Sequence, residues 1–194
     1  MTFSLLLLAF SKLSYAGDEQ YPRMGGAFNE CGKKWEYISE FEESANNGDL
    51  EAAYCLGLTY EVSGYETYGM NWLKKATEAG HIRSLRAFAS ALDGQGKTRE
   101  AAAWFQKGAL RNDRLSQGAL GHMMYDQWKF QKKEKFLLMS WVWFTLYGHD
   151  KFADFSGEEP TPVIYLKDLL TPTQKQKAEK LLLEVRKEIS NSPH

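Results

Sequence analysis

Histidine is the side chain most often recruited for proton transfer and for holding zinc, and this chain of 194 residues contains four. Their placing assembles no site. His81 falls at a turn, His149 just after a helical stretch, and His194 is the last residue. Only His122 lies within a helical pattern, and no HExxH spacing surrounds it, the spacing that sets two imidazoles and a general base on one helix face. The sequence therefore predicts no metal and no cofactor. Motifs for a nucleophile are missing as well: no serine is followed three residues later by lysine, and there is no GxSxG elbow. Gly94-Gln95-Gly96 is too short to cradle a phosphate and follows a helical pattern rather than a strand, so it reads as a turn. Glu42-Glu43 and Glu158-Glu159 read as solvated charge. No residue stands out as catalytic, and the expectation is a protein that is not an enzyme.

The elements that carry these residues follow from an internal repeat. Gly48-Asp49-Leu50-Glu51-Ala52-Ala53-Tyr54-Cys55-Leu56-Gly57 returns at Gly80–Ala89 and again at Asn112–Gly121, so the two offsets are equal (80 − 48 and 112 − 80). Trp72-Leu73-Lys74-Lys75-Ala76 returns at that same offset as Trp104-Phe105-Gln106-Lys107-Gly108. It returns once more as Trp143-Phe144-Thr145-Leu146-Tyr147, after a longer interval (143 − 104). The longer third interval predicts a loop enlarged by about a pair of helical turns, containing Trp128, Phe130 and the charged run Lys132-Lys133-Glu134-Lys135. Each unit reads as two helices. Ala52, Ala53, Leu56, Gly57 and Tyr60 mark one helical stripe, a Gly-containing turn follows, and the second helix turns its Trp and Ala inward. Gly57 and Gly121 would let neighbouring helices come close. Such pairs cannot bury their stripes alone and must stack. The predicted fold is all-α: a short α-solenoid of about three helix-turn-helix repeats with N- and C-terminal capping helices.

The pattern A-x-x-G-[DH]-x-x-[AS]…LG…Y…W[LF]xKA resembles the Sel1-like repeat, a relative of the tetratricopeptide repeat. In the first unit it is carried by Ala45, Gly48, Ala52, Leu56, Gly57, Tyr60, Trp72, Ala76, Ala79 and Gly80. The second unit has Ala89 in place of the usual glycine, and the third has Asn112 for the first glycine. The resemblance covers about residues 45–150. It implies an adaptor that holds another protein. Some small exported Sel1-like proteins are immunity proteins that neutralise antibacterial effectors, including secreted phospholipases. The resemblance thus points to a secreted toxin or effector as partner, with a general periplasmic scaffold or a cell-wall or β-lactam-acting enzyme as the other readings. Cysteine-rich members linked to penicillin binding carry repeated cysteines that this chain lacks.

In a stack of helix pairs the first helix of each pair lines the concave side. Beside the core stripe, Glu51, Tyr54, Leu58 and Glu61 are expected to face the groove. Shifting by one repeat adds Arg83, Arg86, Ser90 and Asp93, and a second shift adds Leu115, Gly118, His122 and Tyr125. Tyrosine and arginine anchor interfaces because they join large contact area to directed hydrogen bonds. The partner-binding set is therefore Glu51, Tyr54, Leu58, Glu61, Arg83, Arg86, His122 and Tyr125, with Tyr65, Tyr68, Trp128 and Phe130 as further contacts at loop edges. The uniformly apolar stretch Phe136–Phe144 is either buried beneath the last helix or a docking face.

The ends complete the domain plan. Residues 1–16 read as a secretory signal peptide, with an apolar run from Phe3 to Phe10 too short to span a bilayer and small residues Ser14 and Ala16 before the cut. Residues 17–44 form an N-terminal capping segment with Phe28, Trp35, Ile38 and Phe41 inward, 45–150 the repeats, and 151–194 a loop and C-terminal capping helix. That loop contains Gly157, Pro160 and Pro162. Thr171-Pro172-Thr173-Gln174 spells a capping box with proline at the first helical position. Cleavage removes Lys12 and no acid, so 23 bases face 25 acids, a formal charge of −2. That balance excludes an electrostatic footprint for nucleic acid. The expected location is periplasmic or secreted, with no membrane span after cleavage. In an oxidising compartment the two cysteines, Cys31 and Cys55, suffice for one bridge, which we favour over two separate buried thiols.

Overall fold

The computed structural model describes residue 31, residues 38–148, residue 166 and residues 168–192. The leader expected at 1–16, Phe28, Trp35, His149, His194 and the loop with Gly157, Pro160 and Pro162 lie outside the described residues. Among the described residues there are eight helices and no strand: α1 (Ile38–Asn46), α2 (Leu50–Val62), α3 (Glu66–Glu78), α4 (Ile82–Gly94), α5 (Thr98–Leu110), α6 (Arg114–Gln131), α7 (Glu134–Tyr147) and α8 (Pro172–Asn191). They fall into two compact units, divided between Trp104 and Phe105.

The period of the sequence is written into the backbone. Gly48, Gly80 and Asn112 share a left-handed conformation, with φ of 96°, 95° and 62°. Glycine adopts it freely and asparagine is among the side chains that tolerate it. The next residue caps the following helix each time. Asp49 accepts hydrogen bonds from the Glu51 and Ala52 amides, His81 from Ser84, and Asp113 from Ser116. These caps satisfy amides that the first helical turn leaves unpaired.

In the first unit Ala45, Ala52, Ala53, Leu56 and Ala76 form a buried cluster, with Ile38, Phe41, Tyr60 and Trp72 packed against it. Ile38 and Phe41 of α1 thus turn inward onto α2 and α3. Alanine-rich faces let α2 and α3 come close, and the glycines bring the backbones together. A Cβ on Gly57 would lie 2.6 Å from Leu73 Cγ, and one on Gly69 would lie 2.6 Å from the Gly57 carbonyl and 2.8 Å from the Glu61 amide nitrogen. The neighbours of Gly69 are backbone and cannot swing aside. Gly69→Ala gains up to about 1 kcal/mol of helix propensity against an overpacking cost of about 1–3 kcal/mol. Urea unfolding should therefore show a net loss of up to about 2 kcal/mol.

In the second unit the expected enlarged loop is helix instead. Relative to the frame of the first repeat α6 ends five residues late, at Gln131, and Trp143 sits three residues deeper in α7 than Trp72 does in α3, while the turn shrinks from three residues to two. The seven additional residues are thus taken up as about one turn on each of two antiparallel helices. Trp128 and Phe130 are helical, and of the charged run only Lys132 and Lys133 form the turn. The physical reason is that seven residues make nearly two turns at 3.6 per turn, so the hairpin lengthens without rotating its buried face. Gly121 meets Phe144 as Gly57 meets Leu73, with a Cβ placed 2.7 Å from the ring, and Ser140 Oγ donates to the Gly121 carbonyl at 2.9 Å.

The apolar helix α7 is buried along Phe136–Ser140 and Val142–Phe144. Leu137, Leu138 and Phe144 cluster with Leu166, Leu170 and Ala178 of the C-terminal segment. Burial, rather than a docking face, is the outcome for this stretch. The capping box is formed, with Thr171 and Gln174 satisfying each other's amides and Pro172 at the start of α8. Cys31 and Cys55 are bonded, with Cα atoms 5.3 Å apart, tying the chain ahead of α1 to the middle of α2.

Candidate functional site

The first helices of the first two repeats, α2 and α4, bring Glu51, Tyr54, His81 and Arg83 together. The cap does the positioning. His81 Nδ1 accepts from the Ser84 amide at 3.3 Å and lies 2.7 Å from Ser84 Oγ. With Nδ1 accepting from the backbone, the ring proton sits on Nε2 and is donated to Glu51 Oε2 at 3.0 Å. The other Glu51 oxygen pairs with Arg83. Beneath them lies Tyr54, its ring 5.3 Å from that of His81 and 5.1 Å from the Arg83 guanidinium. The Glu51 and Arg83 side chains are 45% and 37% exposed. The result is an oriented carboxylate–guanidinium–imidazole group at the surface, on an aromatic base.

Ser84, His81 and Glu51 form a hydrogen-bonded chain of the types used in nucleophilic catalysis. Ser84 is fully buried, and its hydroxyl faces the nitrogen that caps α4. A nucleophile must reach substrate, so this chain fastens a turn. Nothing in its one-dimensional spacing announces it, because Glu51 and His81 belong to different repeats and meet only through stacking.

The other expected contacts divide by burial. Tyr54 and Leu58 are 0% and 2% exposed; contrary to the expectation that they line an accessible groove, they belong to the interior. A helix in a stacked array has neighbours on more than one side, so the stripe beside the core is partly core itself. Arg86 is half-buried on α4. Glu61 is half-buried at the α2–α3 crossing, and its Oε2 has no hydrogen-bond partner among the described residues. Burial first, and then the charge of Glu66, raise its pKa to about 7. Close by, the Tyr60 hydroxyl donates to Glu42 Oε1 at 2.6 Å, which with burial pushes the phenol up to about 12. Glu42 is therefore a hydrogen-bonding partner rather than merely solvated charge.

In the second unit, described by itself, His122 packs edge-on against Phe144 with ring centroids 4.8 Å apart. Burial holds its pKa below the usual histidine value. Tyr125 stacks at a tilt on Trp128 at 5.6 Å, and Lys129 lies over it at 5.0 Å. Phe130 is 69% exposed. Among the described residues no group of three or more His, Cys, Asp or Glu side chains could hold a metal ion, and no helix is long and apolar enough to cross a membrane.

Among solved structures, this chain is similar to a protective antigen present in uropathogenic Escherichia coli strains that displays a Sel1-like-repeat (SLR) fold, with a TM-score of 0.65. This chain has the Sel1-like-repeat fold. The two sequences are 24% identical, and the match covers 81% of this chain but 34% of that chain, so this protein spans about a third of the antigen's length. No family model matches the chain, and no curated protein matches it.

Proposed function

We propose that this Sel1-like-repeat chain is a non-catalytic protein-binding module whose contact surface includes the α2–α4 face. The observation that supports this reading is the Glu51–Arg83–His81 network. It joins a carboxylate and a guanidinium, 45% and 37% exposed, to a largely buried imidazole that fixes the direction of the carboxylate above a buried tyrosine. A network of that exposure adds only about 0–1 kcal/mol to stability. Oriented charges of opposite sign suit recognition of a partner better than they suit holding the fold. We read the module as exported, since a Cys31–Cys55 bridge persists in an oxidising compartment. Its finer role is that of a periplasmic immunity protein neutralising an antibacterial effector such as a secreted phospholipase.

Mature protein used as bait against periplasm and culture supernatant tests this. Glu51→Ala/Arg86→Ala is the informative variant, because both residues reach the surface, whereas Tyr54→Ala would open the interior. We expect one stoichiometric partner, identified by mass spectrometry, whose affinity falls at least roughly tenfold in the variant, about 1.4 kcal/mol. An effector whose activity the protein blocks fits the immunity role, while a resident periplasmic protein shifts the role to scaffolding. A partner retained at full affinity rules out this face.

A further inference from the structure

At the turn between α2 and α3 three tyrosines gather, outside the α2–α4 face. The Tyr60 ring lies 6.2 Å from that of Tyr65, edge-on, and 5.9 Å from that of Tyr68. Tyr60 is held by its hydrogen bond to Glu42 of α1, while Tyr65 and Tyr68 are 53% and 63% exposed. Exposure on this scale has no purpose in the core. One carboxylate, Glu42, is hydrogen-bonded to the innermost ring. Glu42 and Glu66 are the charges that act on Tyr60 and Glu61, and Glu61 holds a buried oxygen with no hydrogen-bond partner among the described residues.

Electron-rich ring faces beside carboxylates attract a cation. This protein uses that contact elsewhere with cations of its own, Lys75 over Trp72 at 4.7 Å and Lys132 over Trp128 at 4.6 Å. We propose that the Tyr60–Tyr65–Tyr68 cluster, with Glu42, Glu61 and Glu66, is a recognition site for a basic side chain of a partner protein, the guanidinium of an arginine above all. A flat guanidinium stacks on a tyrosine face while its N–H groups donate to neighbouring carboxylates. Placement at a repeat turn leaves an extended partner segment free to pass across it. That the cation belongs to a protein rests on the protein-binding reading above; the site's preference for a guanidinium does not.

The test is accordingly made with a small probe. N-acetyl-arginine amide is titrated into the full chain and followed through the tyrosine ring signals by NMR, with N-acetyl-citrulline amide as the uncharged isostere. We expect saturable shifts of the Tyr65 and Tyr68 rings with arginine only. Tyr65→Ala/Tyr68→Ala, which truncates exposed rings and leaves the core in place, and Glu61→Gln, which keeps shape and removes charge, should each weaken binding by roughly fivefold or more. Equal shifts with citrulline, no saturation, or undiminished binding in both variants would overturn the proposal. Loss of partner capture in Glu51→Ala/Arg86→Ala, with arginine binding intact, keeps the two sites distinct.

Discussion

Opening the Cys31–Cys55 bridge is expected to lower stability by about 3 kcal/mol. The bridge closes a loop across a sequence separation of 24, and on the chain-entropy account a loop of that size restricts the unfolded chain by this amount. The side chain of Cys55 is 4% exposed within α2, so the variants to compare are Cys31→Ala and the double Cys31→Ala/Cys55→Ala. Neither leaves a hydroxyl in the interior. Urea unfolding of the oxidised wild type, the wild type under thiol reductant, and the double variant should give one high midpoint and two low ones. Reductant should not shift the double variant at all. A wild type indifferent to reductant would mean that α1 and α2 hold together without the bridge, leaving the clustering of Ile38 and Phe41 with Leu56 and Ala76 as sufficient.

Periodicity makes the helices readable before any coordinate. Gly48, Gly80 and Asn112 sit at equal intervals because the repeat needs one left-handed residue before each capped first helix, and such residues are few in kind. Thr171 and Gln174 are equally legible, since a capping box is a local agreement between a side chain and two amides. The third repeat is harder. An insertion of seven residues looks the same in sequence whether it bulges as a loop or lengthens two helices, and the polar run Lys132–Lys135 suggests the former. Gly69 escapes for a different reason: its neighbours, Gly57 and Glu61, belong to another helix, and no rule of spacing within α3 reveals them.

The site is legible in residue type but less so in placement. Shifting by one repeat selects Glu51 and Arg83 on separate helices, and the structure pairs them. The same stripe selects Tyr54 and Leu58, which are interior. A single stripe on a helical wheel cannot tell whether the next helix covers it. His81 reads as a turn residue, but its role in aiming the Glu51 carboxylate depends on which nitrogen the Ser84 amide occupies. That is a question of hydrogen-bond direction, and sequence does not hold it.

Glu61 gives the protein a pH dependence of unusual sign. A carboxyl raised in the fold from 4.5 to about 7 binds its proton more tightly folded than unfolded. Its contribution is fully present below pH 4.5 and is lost as pH rises through 7, by up to about 3 kcal/mol at roughly 1.4 kcal/mol per pH unit. Most proteins with ion-paired carboxylates gain stability over that range. The charges facing Glu61 do not relieve it: Glu66 on α3 opposes ionisation, and Glu42 on α1 is engaged with Tyr60 on α2. His122, depressed by burial, works in the opposite direction below about pH 6.5, so the wild-type curve alone is ambiguous. The difference between wild type and Glu61→Gln isolates the carboxyl. Urea unfolding should find the two alike near pH 4 and the variant more stable by up to about 3 kcal/mol at pH 8. If the difference is flat with pH, the Glu61 carboxyl titrates as an ordinary surface acid and the α2–α3 turn is open to water. If it appears as expected, a buried carboxylate oxygen with no hydrogen-bond partner among the described residues carries charge at the α2–α3 crossing above pH 7. A guanidinium bound nearby would then reduce that penalty, and arginine amide should stabilise the wild type at pH 8 more than it stabilises Glu61→Gln.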